Sequence, residues 1–407
     1  MKITIGKKEQ KDTILTMLSK VAIVLINLAI TSCILQFWGA EGKGYQALFI
    51  ANVGCIAIFT NIFTNSSISY FVRKVGASKL YVQACLWTFI SSSVGVLVCY
   101  FLPNNSFPIF LFISSLLSGY LTFHNALYIG MQKIKYFNLL TVLQPLFLLI
   151  FMFLLYKTTN STYYDYFYAH IFSFIVVILI ASFFTGKTVG KIKLQFDFSV
   201  TKQCFNYGFL NEVSNFLHYL VLRLSFYFIP FYLGGIALGV FSVGVSISEA
   251  IWHISRSISM VQYSKIIKEG DTQNAKKGVI SASFISLVFS LLGIVMLLLL
   301  PNTVLTYIFT NECAHVKQIT LLMSPGILAI AFSSVYVHYF TALGKMKIVV
   351  LKSVIGAVLT AILLVILLPL WNLNGACITN SIVHFVCSAI IVIAFFMITK
   401  KNLISNI

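Results

Sequence analysis

Ionisable side chains inside long apolar stretches are the residues of this sequence most able to do chemistry. Two consecutive stretches hold most of them: Glu212 and Arg223 lie in the first, and Glu249, His253 and Arg256 lie in the second. Their separations of 4, 7 and 11 residues place each set on one face of a helix. Because a charge inside a membrane is costly, such groups usually face a cavity and carry function. We therefore interpret both faces as parts of a polar site.

The order of these charges predicts two ion pairs between neighbouring antiparallel helices. At equal depth, Glu212 faces Arg256 and Arg223 faces Glu249. These pairs either brace the helices or open for an anionic ligand, since a guanidinium group offers paired donors to phosphate oxygens. His253 either couples transport to protons or is a hydrogen-bonded bystander, because an unperturbed imidazole titrates near neutral pH.

Three further polar residues lie in the first two apolar stretches. Lys20 either extends back to the inner interface or lines the same cavity. Asn61 and Asn65 are one helical turn apart, and they either bond to neighbouring helices or line a path for a sugar-bearing ligand.

The sequence contains neither a CxxC pair nor a GxxxxGK[ST] phosphate loop. We therefore predict no catalytic residue, no metal site, no cofactor and no enzymatic activity.

The elements that position these residues are membrane-spanning helices. The chain is 59% hydrophobic and 9% charged, and a crossing needs about 20 apolar residues. Backbone polar groups in lipid must be satisfied within the segment, so each span is a helix. The predicted spans are 14–36, 45–72, 81–102, 108–130, 137–156, 165–185, 204–230, 238–262, 279–300, 318–343, 349–370 and 376–399.

The positive charges determine the predicted topology. Most of the 28 Lys and Arg residues lie in every second break between spans and at the two termini. Cytoplasmic loops carry this excess, so both termini are predicted to be cytoplasmic. The net charge of +18 then faces anionic lipid of the inner leaflet, which makes membrane lipid a partner and gives no indication of nucleic-acid binding.

Two turns recur in the second half of the chain at matching topological positions. The matches are Gly39 with Gly234, Gly44 with Gly239, and Lys133-Ile134-Lys135 with Lys345-Met346-Lys347. Such a repeat predicts two copies of a six-helix unit, related by an axis along the membrane normal, as in transporters. We place one bundle at residues 1–190 and the other at residues 191–407.

On these features the chain resembles polysaccharide flippases of the multidrug/oligosaccharidyl-lipid/polysaccharide exporter superfamily, specifically bacterial O-antigen flippases of the Wzx type. The matching features are the twelve-span layout, the turn 39–45, the end of span 2 at 61–74 and the turn 344–347. The resemblance covers nearly the whole chain. It implies an all-α integral membrane protein of the bacterial inner membrane, with twelve transmembrane helices in two six-helix bundles around a central cavity. Spans 1, 2, 7 and 8 would line most of that cavity.

The resemblance also implies a substrate, an undecaprenyl pyrophosphate that carries the oligosaccharide repeat unit of lipopolysaccharide O-antigen. Alternating access would carry it from the cytoplasmic to the periplasmic leaflet. Arg223, Arg256 and Lys20 would then contact the pyrophosphate, and Asn61 and Asn65 would line the substrate path.

The remaining charged residues of the two faces have a different implied role. Glu212, Glu249 and His253 would serve ion pairing or coupling to H⁺ or Na⁺. A polysaccharide polymerase and a chain-length regulator are the implied protein partners.

Two other functions compete with this interpretation. A cation or drug antiporter of the same superfamily favours acidic residues in its cavity, whereas two arginines and Lys20 favour an anion. A membrane-embedded O-antigen polymerase resembles chains with a large external loop that carries Arg and His. The only charged or histidine residues of the external break 301–317 are Glu312, His315 and Lys317. These are too few for a catalytic site of that type.

Overall fold

The computed structural model describes residues 7–101, 107–159, 161–190, 196–313 and 315–404, and these residues form helices without any β-strand. The helices in these ranges are α1 (Lys7–Thr64), α2 (Ser66–Val75), α3 (Ala77–Tyr100), α4 (Pro108–Gly130), α5 (Ile134–Thr158), α6 (Tyr164–Val189), α7 (Phe198–Arg223), α8 (Ser225–Leu233), α9 (Gly235–Glu269), α10 (Gln273–Leu299), α11 (Asn302–Phe309), α12 (Val316–Ala342) and α13 (Met346–Ile404). A short 3₁₀ turn, Asn311–Cys313, follows α11.

Ten helical stretches in the described chain are long and apolar enough to cross a membrane. Two of them, in α1 and α13, are long enough to cross twice, because a helix of 58 or 59 residues extends about 90 Å. Each has a non-helical break in its interior, at Gly39 in α1 and at Trp371 and Asn372 in α13. The prediction of an all-α membrane protein with twelve transmembrane helices is therefore confirmed.

The observed helices differ from the predicted spans mainly at their ends. Helix α9 extends to Glu269, beyond the predicted limit at residue 262. Hydropathy marks only the apolar part of a membrane helix, and the polar last two turns of α9 fall outside that part. The second span bends at Asn65, where non-helical φ and ψ separate α1 from α2. The predicted external break 301–317 contains the short helix α11, which the hydropathy of the sequence did not predict.

The chain divides into two compact units. The N-terminal unit comprises residues up to Trp38 together with Tyr45–Phe216, and the C-terminal unit comprises Gly39–Gly44 and residues from Leu217 onward. The predicted boundary between residues 190 and 191 was drawn to give six spans to each bundle, whereas the two units are defined by contacts between residues. The predicted boundary stays a prediction.

Large side chains fill the interior of each unit. Phe49, Met152 and Phe167 are buried together in the N-terminal unit, and Tyr336 and Phe395 are buried together in the C-terminal unit. Many other apolar side chains are exposed, as expected of surfaces that face lipid. Because lipid is as apolar as these side chains, close packing within each unit is the main source of cohesion.

Of the two turns in the predicted repeat, we call the one with the glycines the outer turn and the one at 133–135 and 345–347 the inner turn, after the sides given by the predicted topology. The inner turn has the same geometry in both units. Helices α4 and α12 each end in a Schellman motif, in which a left-handed residue reverses the chain. The N–H of Lys133 donates to the carbonyl of Tyr128 at 2.8 Å, and the N–H of Lys345 donates to that of Phe340 at 2.9 Å. The left-handed residue before each lysine has a φ of 56° or 70°, respectively.

Contacts between helices also recur. In the N-terminal unit, the hydroxyls of Thr60 and Ser91 are 2.9 Å apart, and in the C-terminal unit the hydroxyls of Ser255 and Ser290 are also 2.9 Å apart. Thr60 and Ser255 are separated by 195 residues, as are the glycines of the outer turn. These contacts and the inner turn agree with the predicted internal repeat, which stays a prediction.

Candidate functional site

An ion pair joins α7 to α9 in the C-terminal unit. The guanidinium Nη2 of Arg223, the last residue of α7, lies 2.7 Å from Oε1 of Glu249. Both side chains are about one-quarter exposed, and the guanidinium also lies 4.8 Å from the centre of the Phe226 ring. The predicted pair between Arg223 and Glu249 is therefore confirmed, and its partial exposure leaves the arginine accessible to a competing anion.

A small cavity of about 30 Å³ lies beside this pair. Its lining residues come from four helices and are Leu222, Val245, Ser248, Glu249, Trp252, Met323, Ile327, Ile330, Asn380 and His384. Ligand pockets usually occupy about 300–1,000 Å³, so this cavity suits water or a small ion rather than a sugar or a drug. The indole N–H of Trp252 is buried without a hydrogen-bond partner in the described part of the chain.

The second predicted ion pair involves residues of different units. Glu212 belongs to the N-terminal unit, is 2% exposed, and accepts a hydrogen bond of 3.0 Å from the side-chain amide of Asn215. Arg256 belongs to the C-terminal unit, is exposed, and has no ion pair with the described residues of that unit. A pair between Glu212 and Arg256 stays a prediction.

The other predicted site residues lie on α1, on α9 and in the bend after α1. Lys20 and His253 are exposed, whereas Asn61 and Asn65 are half-buried. The side-chain carbonyl of Asn61 accepts a hydrogen bond of 3.4 Å from the hydroxyl of Thr64. Asn65 lies in the bend between α1 and α2. The predicted roles of these residues in substrate contact and coupling stay predictions.

The sequence analysis did not identify three basic residues of the C-terminal unit. His218 lies in α7, and Lys352 and His384 lie in the first and second halves of α13. The side chains of Lys352 and His384 are only 8% and 9% exposed. One signal was available, because Lys352 falls inside a predicted span rather than in a break. The two histidines are isolated in sequence and gave no signal.

Two glycines of the repeated outer turn make reciprocal contacts within the C-terminal unit. A Cβ on Gly44 would collide with the carbonyl of Gly235, and a Cβ on Gly239 would collide with the carbonyl of Ala40. The two contacts are equivalent, because Gly44 and Gly239 are 195 residues apart, and so are Ala40 and Gly235. The carboxylate of Glu312 accepts a hydrogen bond of 2.5 Å from the N–H of Ala40 at the same turn.

An acidic side chain in the loop between α9 and α10 forms a polar network near the inner turn of the C-terminal unit. Asp271 accepts a hydrogen bond of 2.5 Å from the hydroxyl of Tyr339 and forms an ion pair of 3.1 Å with Lys276. Partial burial raises the pKa of Asp271, but the hydrogen bonds from Tyr339 and Lys276 outweigh this effect and hold that pKa below its ordinary value.

A second acidic group outside the spans lies at the start of α7 in the N-terminal unit. The carboxylate of Asp197 accepts hydrogen bonds from the N–H groups of Val200 and Ser199, as an N-cap does. The bond from Val200, together with Lys79 at 3.5 Å, holds the pKa of Asp197 below its ordinary value. Among the described residues, no group of three or more His, Cys, Asp or Glu side chains is arranged to hold a metal ion.

These helices and charges define a multi-pass membrane protein with two compact units. Its fold is similar to that of transporters of the MOP superfamily. An inward-facing MATE family multidrug transporter matches with a TM-score of 0.74 and 14% identity over 96% of this chain and 98% of the other. The lipid II flippase MurJ, in an inward closed conformation, matches with a TM-score of 0.74 and 16% identity over 97% and 90% of the two chains.

A mutant of the MATE transporter VcmN of Vibrio cholerae is also similar, with a TM-score of 0.66 and 15% identity over 96% of both chains. No protein-family model and no curated protein sequence matches this chain. At these identities, the likeness establishes the fold and leaves the substrate to be inferred from the residues.

Proposed function

We propose that this protein is a flippase that carries an undecaprenyl-pyrophosphate-linked oligosaccharide, an O-antigen repeat unit, from the cytoplasmic to the periplasmic leaflet. Transport by alternating access requires no covalent step, so the protein would not be an enzyme. The fold similarity to a lipid II flippase supports transport of a lipid across the bilayer. The inner membrane of a bacterium, with both termini cytoplasmic, is the location that accompanies this function.

The observation that carries the proposal is a surplus of positive charge on the membrane helices of the C-terminal unit. Glu249 neutralises Arg223, whereas Arg256 is exposed and has no ion pair with the described residues of its unit. A guanidinium group binds phosphate oxygens in a bidentate manner. Arg256 would therefore contact the pyrophosphate first, and Arg223 would join it when the substrate competes with Glu249. Lys20 would add a third positive charge.

The remaining proposed roles follow from the positions of the other polar residues. Asn61 and Asn65 would contact the glycan near the bend between α1 and α2. Glu212, Glu249 and His253 would provide ion pairing or coupling to H⁺ or Na⁺. A polymerase and a chain-length regulator would receive the flipped repeat unit in the periplasm.

A drug or cation antiporter is the second candidate function, and the similarity to MATE transporters favours it. An organic cation needs a free carboxylate inside the membrane. Glu249 is occupied by Arg223 at 2.7 Å, and Glu212 accepts a hydrogen bond from Asn215. The charge balance of these helices thus supports an anionic substrate more strongly than a cationic one.

Deletion of the gene tests the proposal directly. We expect lipid-linked single repeat units to accumulate on the inner leaflet and surface polysaccharide to disappear. Leaflet-specific labelling of the glycan measures the first effect, and gel analysis of lipopolysaccharide measures the second. Single units on the outer leaflet would instead indicate a polymerase. Normal polysaccharide together with increased sensitivity to cationic drugs would indicate an antiporter.

Single substitutions separate a substrate contact from a structural role. Arg256→Ala should abolish surface polysaccharide while the protein still inserts at a normal level, as measured by immunoblotting of membranes. Lys79→Ala is the matched control, because this basic residue lies at the start of α3 and pairs with Asp197 outside the proposed site. Full polysaccharide with Arg256→Ala would remove this arginine from the site.

A further inference from the structure

Basic side chains from three helices of the C-terminal unit lie within electrostatic range of one another, three of them at least half-buried and the fourth, Arg256, exposed. We call this group the basic cluster, and its members are His218 of α7, Arg256 of α9, and Lys352 and His384 of α13. His218 interacts electrostatically with each of the other three side chains, and His384 also interacts with Lys352. Neighbouring members of the basic cluster are 38, 96 and 32 residues apart along the chain, so only the tertiary structure brings them together.

Close packing of the helix backbones holds the basic cluster together. Gly356 lies against the side chains of Val221 and Cys387, because a Cβ at this position would meet both. The thiol of Cys387 donates to the backbone carbonyl of Lys352 at 3.6 Å. Helix α7 and both halves of α13 therefore meet within about one turn of Lys352.

Two polar groups of the basic cluster have no recorded partner among the described residues, and one of them, Nδ1 of His218, is a fully buried atom. The Lys352 side chain is 8% exposed, and its ammonium has neither a hydrogen bond nor an ion pair with the described residues. The buried Nδ1 of His218 also has no hydrogen-bond partner in the described part of the chain. Since a charge on a largely buried side chain is normally paired, an ammonium without a partner favours binding of an anion.

The C-terminal unit does not supply that counter-ion from its described acidic side chains. Glu249 pairs with Arg223, Asp271 pairs with Lys276, and Glu312 accepts from the N–H of Ala40. Glu41 is exposed and belongs to the turn Gly39–Gly44. None of these described carboxylates of the C-terminal unit neutralises the basic cluster, and a bound anion would do so.

We propose that the basic cluster is a binding site for the pyrophosphate of the lipid-linked substrate, with Lys352 as its central charge. This inference rests on the proposed function for the identity of the lipid. Arg256 and Lys352 provide the positive charge, and the imidazole N–H groups of His218 and His384 provide further donors. Lys352 and His384 extend the proposed site from the seventh and eighth spans to the eleventh and twelfth.

Binding of inorganic pyrophosphate to the purified full-length protein tests the site without the lipid. We expect Lys352→Met to weaken binding at least tenfold, and Lys352→Arg to keep affinity within about threefold of the wild type. Lys276→Met is the matched control, since Lys276 is equally buried but pairs with Asp271, and it should bind as the wild type does. Unchanged affinity with Lys352→Met would overturn the proposal.

Thermal unfolding provides a second measurement on the same variants. Lys352→Met removes an unpaired buried charge, so the ligand-free variant should melt at a higher temperature than the wild type. Pyrophosphate should then stabilise the wild type but not the variant. A lower melting temperature for ligand-free Lys352→Met would show that the ammonium has a structural partner, which would overturn the proposal.

Competition distinguishes a lipid headgroup from a free anion. In nanodiscs, undecaprenyl pyrophosphate should displace inorganic pyrophosphate from the wild type, and undecaprenol, which lacks phosphate, should not. Displacement by neither lipid would assign the site to a free anion and overturn its assignment to the substrate.

The site and the proposed function can fail separately. A wild-type protein that moves no lipid-linked oligosaccharide in proteoliposomes, yet binds pyrophosphate through Lys352, would overturn the function and leave an anion site. A Lys352→Met variant that both transports and binds as the wild type does would overturn the site and leave the function.

Discussion

Gly44 lies directly against the backbone carbonyl of Gly235, and the equivalent residue Gly239 lies against the carbonyl of Ala40. Gly39 and Gly234, which precede these contacts, share left-handed φ angles of 67° and 84°. The repeated turns thus meet each other through glycines that no side chain can replace without moving the backbone. Both contacts lie within the C-terminal unit, so they join the turn Gly39–Gly44 to the start of α9.

Alanine at either contact glycine should destabilise the protein. Gly44→Ala and Gly239→Ala each insert a Cβ into a backbone carbonyl, and overpacking of this kind costs about 1–3 kcal/mol. Thermal unfolding in detergent measures the loss. Gly186→Ala is the control, because its Cβ meets nothing within 4 Å in a helix and should be neutral or slightly stabilising. Wild-type stability in both contact variants would show that the turns do not pack this closely.

The ion pair between Arg223 and Glu249 should show a measurable coupling energy. Arg223→Gln leaves Glu249 partly buried and unpaired, and Glu249→Gln leaves the arginine in the same condition. The double variant removes both charges. We expect its unfolding free energy to exceed the value predicted from the sum of the two single losses by about 1–3 kcal/mol. A double-mutant cycle of unfolding free energies measures this difference. Additive losses would mean that the pair contributes no net attraction.

Exchange of the two charges provides a further control for that cycle. Arg223→Glu combined with Glu249→Arg restores attraction, so it should recover part of the stability that each single charge reversal removes. If transport requires the guanidinium on α7 itself, the exchanged variant should fold without restoring surface polysaccharide. Recovery of both stability and polysaccharide would assign the pair a purely structural role.

Acid should weaken the network around Asp271. Its folded-state pKa lies below the ordinary value of 3.8, so the ionised form stabilises the folded state at every pH above 3.8. This contribution disappears as the pH falls from about 4 through the lower folded-state pKa. Melting temperatures measured from pH 7 to pH 3 should therefore fall less steeply in Asp271→Asn than in the wild type. Tyr339→Phe removes one stabilising hydrogen bond and should give an intermediate slope, whereas parallel curves for all three proteins would contradict the assignment.

The hydroxyl pairs of the two repeats should contribute equally. Thr60→Val removes one partner of the contact with Ser91, and Ser255→Ala removes one partner of the contact with Ser290. Hydrogen bonds between membrane helices contribute about 0.6 kcal/mol on average, so each variant should lose a similar small amount. Ser93→Ala is the control, because its exposed hydroxyl bonds only to its own helix. A large loss in one repeat alone would show that the two contacts have diverged.

The sequence by itself determined the membrane class, the helical fold and the number of spans. Lipid leaves a chain few choices, because every crossing must be a helix of about 20 apolar residues and positive charge concentrates in the cytoplasmic loops. The repeat was also visible, since its turns require residues such as glycine at left-handed positions. The pair between Arg223 and Glu249 was predictable because it joins consecutive antiparallel helices, whose residues at equal depth follow from simple spacing.

The tertiary structure alone decided which distant residues meet. Lys352 and His218 are 134 positions apart, and no periodic pattern connects span 7 to span 11. The contact of Gly44 with Gly235 and the capping of Ala40 by Glu312 likewise depend on how separate helices pack. Helix formation in a membrane depends on local composition, whereas helix association depends on the shapes and polar groups of whole surfaces, which a linear pattern does not encode.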